Sequence, residues 1–170
     1  MRFAALAAAL SLALACAGLS GCGFRPVYGS AGSMGGAAAQ LSQVHIDTIP
    51  ERNGQMLRNA LIERMNVSGI PARPSHRLVI GLKEEELDLG IRRDATVTRG
   101  QIKMTATYEL VDTATQAIVS RGTARSISSY NVVESDFGTF VSRGDAQSRA
   151  LQDLGDDIAL RIALYFNTRT

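Results

Sequence analysis

The stretch Arg99-Gly100-Gln101-Ile102-Lys103-Met104-Thr105-Ala106-Thr107-Tyr108-Glu109-Leu110-Val111-Asp112 alternates apolar and polar residues with a period of two. Ile102, Met104, Ala106, Tyr108 and Leu110 fall on one side, and Gln101, Lys103, Thr105, Thr107 and Glu109 on the other. Successive side chains of a strand point to opposite faces, so this is a half-buried strand with one face on a core and the other in a polar medium. The remaining elements are placed relative to it.

Downstream, the polar turn Asp112-Thr113-Ala114-Thr115-Gln116 leads into a further strand over residues 117–130, antiparallel to the first because the turn is short. Upstream, a strand begins near Arg77, sets Leu78, Ile80 and Leu82 on one face, and continues into Glu84-Glu85-Glu86-Leu87-Asp88. The earliest strand is Val44-His45-Ile46-Asp47-Thr48-Ile49, stopped by Pro50. Between these two, residues 51–66 change period. Leu57, Ala60, Leu61 and Met65 recur at three and four, and Gly69 with Pro71 closes the helix. A second helix, capped by Asp145 or Ser142, carries the stripe Gln147, Leu151, Leu154, Ile158, Ile162 and Tyr165. A helical crossover between the first two strands makes them parallel. The expectation is an α+β two-layer sandwich of order β-α-β-β-β-α, a mixed four-stranded sheet with two helices packed on one face.

The N-terminus is built differently. Arg2 is the sole charge before Arg25, and residues 3–19 are mostly Ala and Leu, an n-region followed by an apolar h-region. Leu19-Ser20-Gly21-Cys22 then resembles the bacterial lipobox, with cleavage between Gly21 and Cys22. Residues 1–21 are therefore expected to be a cleaved lipoprotein signal peptide. Cys22 would carry a diacylglycerol and an N-acyl chain, which together give stable anchoring. Cys16 is the competing cysteine, but using it would truncate the hydrophobic run. With one cysteine removed and the other acylated, no thiol remains for a disulfide or a metal. Gly23 follows the lipidated position where inner-membrane retention commonly uses Asp, so the expected location is the periplasmic face of the outer membrane.

Removing 21 of the 170 residues leaves 149, enough for one domain with its own core. The signal takes one basic residue from a total of 18 against 16 acids, so the mature balance is 17 to 16. A near-neutral domain is unsuited to general nucleic-acid binding. Residues 22–40 contain the glycine-rich, uncharged run Gly29-Ser30-Ala31-Gly32-Ser33-Met34-Gly35-Gly36-Ala37-Ala38-Ala39, read as a flexible linker ahead of a domain over residues 41–170. It is not a phosphate-cradling loop, because no strand precedes it and no Gly-Lys-Ser/Thr follows.

The chemistry-bearing residues are few. Glu84, Glu85 and Glu86 alternate between the two faces of their strand and cannot converge on one metal ion. His45 and His76 lie outside any nucleophile motif of the Gly-x-Ser-x-Gly kind, and a triad assembled only in space is not visible in sequence. No enzyme, metal or cofactor is expected. The acids Glu84, Glu85, Glu86 and Asp88 are followed by the bases Arg92, Arg93, Arg99 and Lys103, a segregation of charge around the turn between the second and third strands.

Gly21-Cys22-Gly23-Phe24-Arg25-Pro26-Val27-Tyr28 resembles the opening of the lipopolysaccharide-assembly lipoprotein family LptE, with Val27 where Leu is common. Arg125-Ser126-Ile127-Ser128-Ser129-Tyr130-Asn131, Phe140 and the helix end Arg161-Ile162-Ala163-Leu164-Tyr165-Phe166 are similar to alphaproteobacterial members. The resemblance implies a lipid-anchored protein that binds the outer-membrane β-barrel LptD as a plug and assembly factor and helps deliver lipopolysaccharide to the outer leaflet. Arg92, Arg93, Arg99 and Lys103 are then candidate contacts to lipopolysaccharide or LptD, because guanidinium matches phosphate oxygens. Their alternative is a solvated hairpin whose charges pair internally, as in most charge runs. For the whole protein, the other reading is a lipid-anchored auxiliary subunit of another envelope lipid transporter. Residues 128–131 and the loop 134–139 are expected to form a turn or a barrel-contacting edge.

Overall fold

The computed structural model describes residues 35–67, 69–91 and 97–168. The signal peptide, Cys22, most of the linker, Arg92 and Arg93 lie outside them. The elements are α1 (Gly35–Leu41), β1 (Val44–Ile46), α2 (Glu51–Met65), β2 (His76–Ile91), β3 (Val97–Asp112), β4 (Ile118–Asn131) and α3 (Asp136–Asn167).

The four strands form one sheet in the order β1-β2-β3-β4. β1 pairs with β2 in parallel, with Val44 opposite His76. β2–β3 and β3–β4 are antiparallel, with the central register Ile80↔Tyr108↔Gly122. This is the expected mixed α+β sheet. The short β1 returns through α2 as a βαβ crossover, and the two 16-residue strands β2 and β3 form a long hairpin.

One face of the sheet is apolar and carries the helices. Leu78 from β2, Ile102, Met104 and Leu110 from β3, and Ala124 from β4 are fully buried. Leu57 and Leu61 of α2 and Leu154, Ile158 and Ile162 of α3 close over them. Each of these Leu, Ile and Met side chains contributes roughly 1.5–3 kcal/mol. The helices approach closely where Gly155 meets the Cβ of Ala60. Beside this crossing Arg64 binds Asp156, and that hydrogen bond holds the Asp156 carboxyl below its ordinary range. Gly54 permits another close approach, since a Cβ there would sit 2.7 Å from the Ile49 side chain.

Several boundaries differ from the sequence expectation, and β1 ends at Ile46 rather than at Ile49. The last helix begins at Asp136 rather than near 142–145, capped by Ser135, whose side chain accepts from the Gly138 amide. Its first turns were hidden because Phe137 and Phe140 point to solvent and break the apolar stripe. The segment 136–139, read as part of a loop, is thus helical. Residues 35–41, at the end of the stretch read as linker, form the short helix α1, which packs on α3 and buries Leu41. Three consecutive alanines favour helix once a tertiary contact is available.

Candidate functional site

The second sheet face is uncovered and mostly polar. Its rows follow from the register. Val79, Glu109 and Arg121 lie side by side, then Gly81, Thr107 and Thr123, then Lys83, Thr105 and Arg125, then Glu85, Lys103 and Ile127, then Leu87, Gln101 and Ser129. Gly81 leaves a shallow depression at mid-sheet, bounded by Val79, Thr107, Glu109, Arg121 and Thr123. Where α/β folds place a second helix layer, this face stays open and polar.

The charges on it are partly engaged. Lys83 and Lys103 donate to the two oxygens of Glu85 at 2.8 and 2.9 Å. Hydrogen bonds from Lys83 and then Lys103 hold the Glu85 carboxyl down at about 2. The same bond raises Lys83. Lys103 is therefore internally paired, as a solvated hairpin would have it. Arg99 is exposed and lines a polar depression with Ser129, Asn131, Asp145 and Arg149 at the far end of β3 and β4. The structure thus describes two of the four basic residues singled out in the sequence and sets both on one face of β3. Arg121 and Arg125 extend that positive row onto β4. Their alternation with Thr123 and Ile127 was the available signal, and it was obscured by the weaker period of β4.

The glutamate run splits between the faces as its spacing requires. Glu84 faces the helices and accepts from Asn53 at 2.6 Å and Gln147 at 2.8 Å. Glu86 accepts from Tyr130 and from Arg143. Beside the core residues Met104 and Ile102, these polar groups join the far half of the hairpin to the first half of α3.

The histidines are tied into local structure. His76 packs edge-on against Phe166 at 5.1 Å, shares a 2.9 Å hydrogen bond with Ser75, and is lowered by burial. Asp112 lies opposite it, but one carboxylate oxygen accepts the amides of Ala114 and Thr115 and forms the β3–β4 turn. The Thr115 amide is the main cause of its lowered pKa. Ser75, His76 and Asp112 therefore form a turn and packing site, without the base-orienting hydrogen bond a triad requires. His45 lies 3.9 Å from Asp47. Among the described residues no cluster of three or more His, Cys, Asp or Glu could hold a metal, and no helix is long and apolar enough to cross a membrane.

The comparisons agree with this architecture. A family model described as lipopolysaccharide-assembly, LptE, matches residues 41–162. No curated protein sequence matches. A lipoprotein from Caulobacter crescentus has a similar fold, with TM-score 0.67, 21% identity, and coverage of 79% of this chain and 98% of that one. A minor lipoprotein from Acinetobacter baumannii follows at TM-score 0.56 and 16% identity, covering 71% and 91%. The rare lipoprotein B of Shewanella oneidensis gives 0.55 and 10%, covering 71% and 93%.

Proposed function

The chain belongs to the LptE family of lipopolysaccharide-assembly proteins, and on that premise we propose that it is an outer-membrane lipoprotein, anchored through Cys22, that plugs and helps assemble the LptD β-barrel while lipopolysaccharide passes to the outer leaflet. The role is one of binding, without a catalytic step. The observation that carries this reading is the open sheet face. A body seated in a polar barrel lumen needs an outer surface rich in hydrogen-bonding groups, and the threonines, Gln101, arginines and lysines of β2–β4 supply one on a rigid support. The tagged, lipidated chain purified from detergent-solubilised outer membranes is expected to carry a large β-barrel with it, and its depletion to mislocalise lipopolysaccharide. A preparation free of any barrel rejects the reading.

The basic residues at the hairpin end then supply contacts to lipopolysaccharide phosphates or to LptD. Arg92, Arg93 and Arg99 carry most of this attraction, because Lys103 already holds Glu85. Changing Arg92 and Arg93 together to Asp is expected to weaken lipopolysaccharide binding at fixed salt and leave the thermal transition in place. Unchanged binding would remove the hairpin end from the site.

A further inference from the structure

The two edges of the sheet are finished differently. On β1 the outward carbonyls are occupied by side chains of α2 and its C-terminal cap. Asn66 donates to Ser42 at 3.2 Å and to Val44 at 3.1 Å, and Arg58 donates to Ile46 at 3.2 Å. That edge is sealed.

The direction of the β4 backbone follows from the ladder. The Asp47 amide donates to the Leu78 carbonyl at 3.0 Å, so even-numbered residues of β2 face β1 and odd-numbered ones face β3. The register Lys83↔Thr105 carries this to the odd residues of β3, and Met104↔Ser126 to the even residues of β4. Odd-numbered residues of β4 therefore turn their amides and carbonyls away from the sheet. Two side-chain contacts agree. Arg149 reaches the Ser129 carbonyl at 3.3 Å and Ser142 the Asn131 carbonyl at 3.0 Å, closing the last part of this edge. Arg121, Thr123, Arg125 and Ile127, all exposed, present their outward groups with no such cap among the described residues. The single register irregularity lies beyond them, at Leu110/Val111.

Charge selects what could pair there. Arg121 and Arg125 flank Thr123 on the open face. A second copy added antiparallel about Thr123 would set Arg121 opposite Arg125, and like charges directly opposite are unfavourable. Arginines on an edge also discourage indiscriminate pairing. A strand with carboxylates at alternate positions meets neither obstacle.

We propose that the open edge of β4 over residues 121–127 is a strand-addition site that takes an extended, acidic segment of another polypeptide. The site is separate from the hairpin-end arginines and independent of what they bind.

The test uses the full chain and two short synthetic peptides, one alternating Val and Glu and the other Val and Lys. The Glu peptide is expected to bind at least about tenfold more tightly and to slow amide exchange at Arg121, Thr123, Arg125 and Ile127. Thr123→Pro removes one outward N–H while leaving the β3–β4 ladder intact. It should weaken the Glu peptide by about tenfold, the value of a lost main-chain hydrogen bond with some strand distortion, at an unchanged thermal transition. Equal binding of the two peptides overturns the proposal, as does protection confined to other residues. A dimer of this chain that disperses on Thr123→Pro also overturns it, because the occupant would then be a second copy.

Discussion

Glu84, Glu85 and Glu86 are adjacent in the chain and do unrelated things in the fold. Glu85 on the open face is held at about 2 by Lys83 and Lys103. Its folded pKa lies below the ordinary value of 4.5, so its contribution to stability is complete above that value and is lost as pH falls through about 2. A carboxyl-detected NMR titration of the folded chain should show Glu85 still ionised at pH 3, and replacing both lysines with Met should move its midpoint up toward 4.5. Two tyrosines lie across glycines on the helix-covered face. A Cβ on Gly100 would overlap the Tyr130 ring, and one on Gly122 would sit 2.6 Å from the Tyr108 hydroxyl. Gly100→Ala must displace Tyr130 from its bond to Glu86. A loss of about 1–3 kcal/mol is expected in denaturant unfolding, the usual range for overpacking.

Among the elements, α3 separates burial from helicity most clearly. Leu154 is fully buried, whereas Phe140 and Phe137 in the first turns are 69% and 76% exposed. Leu154→Ala should cost about 2–5 kcal/mol, and Phe140→Ala should fall within about 0.5 kcal/mol of wild type, read by the same unfolding assay. A large loss at Phe140 would mean that the helix start is packed against something. This contrast also explains what was legible in the sequence. The alternation of β3 and the stripe from Leu151 to Ile162 announce themselves because burial selects apolar residues at a fixed period. Residues 136–144 bury little, so no period marks them, and only the Ser135 cap defines their start. The split of the glutamates between faces followed from strand geometry, but their partners Gln147 and Arg143 did not, since those depend on how α3 crosses the hairpin. For the same reason Arg121 and Arg125 joined the basic row only once the register was known.

At the scale of the molecule, the placement of α1 bears on what the proposed anchor does. α1 leads into β1 beside the start of β2, the end of the sheet opposite the β2–β3 turn. Sixteen-residue strands span about 50 Å, so the Ile91 end of β2 and the Val97 end of β3 are remote from α1. From Cys22 to Gly35 the chain reaches at most about 45 Å when fully extended. A lipid in the inner leaflet would then hold the β1 end nearby and leave the hairpin end to be located by its partner. If the chain seats inside a barrel, that contact fixes its position, and the lipid serves chiefly to sort it and raise its local concentration during assembly. Cys22→Ser carried to the periplasm by a different signal should therefore retain partial lipopolysaccharide delivery, with recovery increasing as its expression is raised. Delivery that stays absent at every expression level, in a chain that is folded, exported and co-purifies with the barrel, would show instead that the acyl chains act in delivery itself.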